Sequence, residues 1–313
     1  MSQLQLRDVT VERDGHPIAA VDFGGSDQGR PLVLVHGGSR NAMDWLGVAP
    51  YLTAEHRVVA VDVRGHGRTP LGAGLDIAEC AEDVHAIVEA LGLDGAIVAG
   101  QSLGGMIATA YGRAHPEVAG VVNIDGSGQA LPSSFPGSDD EAALRRQLQQ
   151  LLRDQVQAAR DRQDDPDDTF AEKDVPGLVS DIRASAQQAG LDPDVIEAGA
   201  RRGAVRTPAG RWRQSWGNRE QAAMLAGVLA YDTLAELRAL TCPAMYVMGD
   251  AEGRDDGGLG EAAVPFQLGL KRDLAEFAAE AGRRLESLPT GHMVHLEMPE
   301  QTARLLHEFA ASV

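Results

Sequence analysis

The chain has 313 residues, 43% of them hydrophobic and 24% charged; that is enough apolar material for a large buried core and excludes a chain disordered throughout. A formal net charge of −18 at pH 7 repels nucleic acid and anionic membrane surfaces, which leaves a small molecule as the expected partner. The two cysteines, Cys80 and Cys242, are too few for a disulfide framework and lack metal-ligand spacing, so core positions are expected for both.

In chain order, Met1–Thr10 alternates polar and apolar residues, with no basic stretch leading into an apolar run. No signal peptide is therefore visible, no apolar run approaches a membrane span, and a cytoplasmic location is expected. Runs near Leu4–Glu12 and Ile18–Phe23 flank Asp14-Gly15, a dipeptide suited to a hairpin turn. Continuous apolar runs follow at 31–35, 58–61, 96–99, 118–124 and 244–248. Runs this short fit strands buried on both faces of a parallel sheet.

Helical patterns lie between them. Asp76–Leu91 puts Ile77, Cys80, Val84, Ile87, Val88 and Leu91 on one face. Leu103–Ala114 and Leu268–Ala281 are helix-like, Arg284–Leu288 is strand-like, and a helix is expected from Pro299. This alternation predicts an α/β fold with a mostly parallel central sheet flanked by helices. It breaks between Gly126 and Leu240, where polar helical patterns at Glu141–Arg162 and Val175–Gln188 flank an acidic stretch, Asp164–Asp168. So long a segment is not a structureless loop. The expected division is a core of residues 1–126 and 241–313 with a helical cap of residues 127–240. Gly249–Gly260, rich in Gly and Asp, is expected to be a loop.

Three segments carry chemistry. Gly100-Gln101-Ser102-Leu103-Gly104-Gly105 joins an apolar strand to a helical run, the context of a nucleophile elbow. A turn so sharp needs small flanking residues, and it puts the Ser102 hydroxyl at a helix N-terminus, where amides and the helix dipole favour negative charge. His36-Gly37-Gly38-Ser39 follows another strand. Its glycine-rich turn can offer the Gly38 N–H to a developing oxyanion, with the Leu103 N–H as second donor; His36 is expected to be structural. Gly291-His292 follows a late strand, and a histidine on such a loop can reach a serine at the same sheet edge. Serine needs a base with a pKa near working pH. His292 is preferred over His295, which lies closer to the final helix.

Together with Asp62-Val63-Arg64-Gly65-His66-Gly67, these motifs resemble those of the α/β-hydrolase superfamily, over roughly Pro31–Asp125 and Thr241–Val313. The resemblance implies a structural role for Asp62–Gly67 and a lid formed by the inserted segment. It also implies a triad acid three residues after the glycine that ends the strand at Met248, a position held here by Glu252. Asp125, at the end of the preceding strand, is the second candidate and Asp250 the third; Asp255 and Asp256 lie further into the loop. The densest aromatic and basic stretch of the insertion, Arg211-Trp212-Arg213-Gln214-Ser215-Trp216, makes Trp212 and Trp216 candidate substrate-wall residues. Arg211 or Arg213 could meet an anionic group.

The function expected is a serine hydrolase that cleaves a carboxylic ester, lactone or thioester through an acyl-serine intermediate, with Ser102, His292 and Glu252 as triad and with no cofactor or metal. The alternatives are a carbon–carbon bond hydrolase, a perhydrolase or cofactor-free haloperoxidase with the same triad, and a non-hydrolytic enzyme or binding protein on this fold.

Overall fold

A computed structural model describes residues 4, 6–128, 130–162, 169–251 and 259–313. The acidic stretch Asp164–Asp168, together with Glu252, Asp255 and Asp256, lies outside the described residues. The first strands, β1 (Arg7–Arg13) and β2 (His16–Gly25), pair antiparallel about Asp14 and Gly15. Both turn residues have positive φ, 53° and 75°, which matches the right-handed twist of the flanking strands.

β3 (Leu32–Val35), β4 (Arg57–Val61), β5 (Ile97–Gln101) and β6 (Gly120–Ile124) follow, with α1 (Ile77–Leu91) between β4 and β5 and α2 (Leu103–Ala114) between β5 and β6. Asp76 caps α1 by accepting from the Ala78 and Glu79 amides. After β6 come α3 (Glu141–Asp161), α4 (Val175–Gln188), α5 (Pro193–Gly203), the short strands β7 (Ala204–Arg206) and β8 (Trp212–Gln214), α6 (Asn218–Ala230) and α7 (Thr233–Arg238). The chain closes with β9 (Ala244–Gly249), α8 (Ala263–Ala278), β10 (Arg283–Leu288), α9 (Val294–Glu297) and α10 (Pro299–Ser312).

Eight strands form one sheet in the order β1-β2-β4-β3-β5-β6-β9-β10. β1 and β2 run antiparallel to their neighbours and the rest are parallel. Alternate side chains of the buried runs go to opposite faces, as strand geometry requires. Val33, Val35, Val59, Val61 and Val98 pack with α1 and α2. Leu32, Leu34, Val58, Ala60, Ile97 and Ala99 pack with Leu305, Leu306 and Phe309 of α10. Each Val, Leu, Ile or Phe among these, removed from water, contributes about 1.5–3 kcal/mol. Both cysteines are buried and free.

α8 begins at Ala263 rather than Leu268, because Phe266 turns inward and is buried with Leu270 and Leu274. The β7–β8 hairpin carries no signal in the sequence; its strands are only three residues long, with Arg206, Arg213 and Gln214 exposed, so they form no buried apolar run. α7 packs on α2 and α8, α3 on α6, and α5 on the turn of 3-10 helix at Ala42–Gly47. Among the described residues no helix is long and apolar enough to cross a membrane.

Strand order places the site. The chain leaves β3 to one side for β4 and returns on the other as β5, and a crevice opens at such a switch point beyond the carboxyl ends of the strands. Register then sets out what meets there. Gln101 stands opposite Ile124, and Ile124 opposite Val247. The next residues along, Ser102 and Asp125, therefore emerge side by side at the sheet edge. The Ser102 amide donates to Ile124 O at 2.8 Å and the Asp125 amide to Val247 O at 2.7 Å.

Candidate active site

Ser102 sits between β5 and α2 with φ 54° and ψ −117°. An L-residue rarely adopts positive φ, and holding one there costs about 1–3 kcal/mol. The surroundings enforce it. A Cβ on Gly100 would stand 2.1 Å from Gly104 O, and one on Gly104 would stand 2.2 Å from Val35 O. The turn closes only with glycine on both sides.

His292 Nε2 lies 2.9 Å from Ser102 Oγ, and His292 Nδ1 lies 2.6 Å from Asp125 Oδ2. With the Nδ1 proton donated to Asp125, Nε2 is left as acceptor for the serine hydroxyl. Gln101 joins the elbow to the histidine loop by donating from Nε2 to His292 O at 2.8 Å. Glu297 accepts from the Gly291 amide at 2.9 Å. His295 is elsewhere: fully buried, 3.6 Å from Asp44 Oδ2, its ring packed at a tilt against Trp45 with centroids 4.6 Å apart.

The carboxylate at the histidine is thus Asp125, the second of the acids considered, where Glu252 was expected; Glu252 lies outside the described residues. The physical reason is register, since β6 ends directly beside the elbow while β9 is one strand further away. The Asp125 side chain is 3% exposed, and its Oδ1 accepts from the Gly249 amide at 3.4 Å. Asp250 instead pairs with Lys271 at 2.6 Å.

Leu103 is the first residue of α2, so its amide has no intrahelical acceptor. Gly38 lies across the crevice, and a Cβ there would meet Met224 Sδ of α6 at 2.4 Å. Behind Gly38 two imidazoles hold the loop. His36 Nε2 accepts from the Val63 amide at 2.9 Å, and His66 Nε2 accepts from the Ser39 amide at 3.1 Å. An acceptor nitrogen cannot be protonated, so each ring is neutral and donates from Nδ1, to Gly37 O and Arg64 O respectively. Burial pushes His36 down to about 4. Burial, with repulsion from neighbouring His36, pushes His66 down to about 3. Asp62 completes this framework, accepting from the Ala42 and Arg68 amides and from Arg202 Nε of α5.

A cavity of about 520 Å³ opens over Ser102, with Gly38, Leu103, Asp125 and His292 on its wall. α3 contributes Leu148, Leu151, Leu152 and Gln155, which share one helix face at these spacings, and α6 contributes Gln221, Met224 and Val228. Of the two tryptophans expected at the wall, Trp216 lines the cavity and packs at a tilt against His66, with ring centroids 4.4 Å apart. Trp212 does not. Pairing of β8 with β7 turns its indole to Glu172, which accepts from Nε1 at 2.7 Å, and to Arg206. Arg211 donates to Thr169, and neither Arg211 nor Arg213 is among the lining residues. Gln101, Met106 and Met224 were not singled out from sequence. Gln101 could have been, as the residue beside a nucleophile at the buried end of a strand.

Parallel strands carrying a strained serine, a histidine and a strand-end carboxylate define a class of enzyme. Residues 32–305 match the model of the alpha/beta hydrolase family, and the chain belongs to that family. The chain is similar to the pimeloyl-[acyl-carrier protein] methyl ester esterase of Methylococcus capsulatus, 29% identical over 92% of this chain and 97% of that protein. It is also similar to the dihydrolipoyllysine-residue acetyltransferase component of the acetoin cleaving system of Pseudomonas putida, 35% identical over 45% of this chain but only 40% of that protein's length. The solved structure of E-2-(acetamidomethylene)succinate hydrolase superposes over 98% of this chain and all of its own, with TM-score 0.68 at 20% identity, a likeness of fold. Family and relatives together support ester-hydrolase activity.

Proposed function

We propose that the protein is a carboxylic ester hydrolase working through an acyl-serine intermediate, with Ser102 as nucleophile, His292 as general base and acid, and Asp125 as the orienting carboxylate. The observation that carries this reading is the hydrogen-bonded chain from Ser102 Oγ through His292 to Asp125, at 2.9 and 2.6 Å. His292 Nε2 takes the hydroxyl proton as Oγ bonds to the ester carbon, and the carbonyl electron pair moves onto oxygen. The amides of Gly38 and Leu103 are the proposed donors to that oxyanion; one such donor is worth about 3–4 kcal/mol in the transition state. Collapse expels the alcohol, which takes the proton from His292. Water, deprotonated by the same nitrogen, then releases the acid and restores Ser102. Asp125 holds the Nδ1–H tautomer and stabilises the imidazolium. Residues 127–240 act as the cap in this reading, since α3 and α6 roof the cavity.

The test is a pair of substitutions assayed on one activated ester. Ser102→Ala and His292→Ala should each abolish turnover to a similar extent, because triad losses do not add. His295→Ala should lose far less. Activity within a few-fold of the parent for Ser102→Ala overturns the covalent route.

A further inference from the structure

Along the two roofing helices the cavity changes character. Arg162, just beyond α3, donates to Gln221 at the start of α6, at 3.3 Å, so the helices run antiparallel and their lining residues pair end to end. Toward one end lie Gln155 of α3 and Gln221 of α6, both partly exposed, as is Trp216. At the other end Leu148 and Val228 are buried. Met106, one turn along α2 from the nucleophile, lies under Gly128 at that end, in one buried cluster with Val228. Phe266 and Leu270 of α8 complete it, and both belong with Leu148 to a single buried cluster. The cavity therefore has an amide-lined mouth and an inner end lined mostly by hydrocarbon, where Gln267 of α8 and Ser127 add neutral polar groups, with Ser102 on its wall.

From this gradient we infer that the inner end is the acyl subsite, and that the enzyme's substrates are esters of an uncharged, medium-length, straight-chain acid. The inference rests on the proposed acyl-serine chemistry and names its substrate class. Acylation bonds the ester carbon to Ser102 Oγ, so the acyl chain must leave the serine along the cavity wall. The wall beside Met106 is mostly hydrocarbon, and burying each methylene there is favourable. A charged chain end would lose its hydration against Leu148, Phe266 and Leu270, and the neutral amide of Gln267 beside them offers no opposite charge; such desolvation is costly. The alcohol side then lies toward Gln155, Gln221 and Trp216, where polar groups and water can be met. Leu148 sits where the chain end would arrive.

The test compares p-nitrophenyl acetate, p-nitrophenyl octanoate and the p-nitrophenyl half-ester of suberate, which is octanoate with a terminal carboxylate. With the parent enzyme, kcat/KM for octanoate should exceed that for acetate by about tenfold or more, and should exceed that for the suberate half-ester by at least as much, the discrimination expected of a hydrophobic pocket. Leu148→Trp, which fills the inner end, should invert the octanoate-to-acetate ratio. Leu148→Ala should keep octanoate preferred. A ratio measured within one variant is not altered by a smaller folded fraction. Acetate preferred by the parent, or suberate cleaved as well as octanoate, overturns the assignment even if every Leu148 variant fails to fold. Labelling of the same preparation with a fluorophosphonate keeps the two readings apart. Label on Ser102 with the wrong chain preference sinks only the acyl subsite, whereas no label sinks the serine chemistry beneath it.

Discussion

The Asp125 carboxylate accepts from His292 Nδ1 at 2.6 Å while its own side chain is 3% exposed and the imidazole is 45% exposed. An orienting acid is most effective when held rigidly, and Asp125 is fixed by the buried strand β6, by the hydrogen bond its amide donates to Val247 O and by the one its Oδ1 accepts from the Gly249 amide. Asp125→Asn should therefore lower kcat by up to ~10⁴-fold, the scale of loss when a triad acid is neutralised, with little change in KM. Glu252→Gln and Asp250→Asn should stay within a few-fold of the parent. Turnover of one activated ester by the three variants decides it; a collapse confined to Glu252→Gln would return the role to the loop after β9.

Gln101 tests how tightly the histidine loop must be held. Its Nε2–H to His292 O is a direct side-chain tie between elbow and loop. Gln101→Met keeps the bulk and removes the donor. The expected result is a loss in kcat of roughly 10²-fold or less, since small misplacements of reacting groups cost about that much, with KM nearly unchanged. A rise in KM at constant kcat would show that Gln101 serves substrate binding instead.

The buried imidazoles behind Gly38 predict an acid-side loss of stability. His36 and His66 are held neutral, at about 4 and about 3, against the ordinary 6.5, and burial also lowers His295. The unfolded chain binds these protons near 6.5 and the folded chain does not. Stability is then complete above pH 6.5 and falls as the pH drops from there toward 4 and, for His66, toward 3. Each histidine contributes a slope of up to about 1.4 kcal/mol per pH unit. Urea midpoints between pH 7 and 5, above the carboxylate range, measure it. His66→Gln, which keeps an acceptor for the Ser39 amide, should reduce the slope; an unchanged slope refutes the neutral-imidazole account.

Arg202 anchors α5 to the framework under the oxyanion loop. Its side chain is 4% exposed and pairs with Asp62, which is 0% exposed, at 2.8 Å, and with Asp8, which is 57% exposed, at 2.7 Å. Removing one partner of a buried pair costs about 3–5 kcal/mol, because the other charge is left uncompensated. Arg202→Met should lower the urea midpoint accordingly, while Asp8→Ala should cost no more than about 1 kcal/mol, as for an exposed pair. Equal effects would contradict the burial argument.

What the sequence made legible were features written in contiguous residues. The runs at 32–35, 58–61 and 97–99 are apolar because both faces of β3, β4 and β5 are covered. The elbow at Ser102 shows because its turn tolerates only glycine at 100 and 104. What stayed hidden depended on neighbours distant in sequence. Choosing between Asp125 and Glu252 required knowing that β6, not β9, lies beside β5. Trp212 and Trp216 are equivalent as letters, and only the pairing of β8 with β7 sends one to Glu172 and leaves the other over His66. The tie between Arg202 and Asp62 joins the inserted segment to the core across 140 positions and has no local signal at all.

The most direct measurement is reaction with a fluorophosphonate followed by mass-spectrometric mapping of the adduct. A serine activated by His292 at 2.9 Å should be labelled at Ser102 alone among the serines. Asp125→Asn should slow the labelling sharply and Ser102→Ala abolish it. A fully folded protein that takes up no label, or takes it at another residue, contradicts the acyl-serine account.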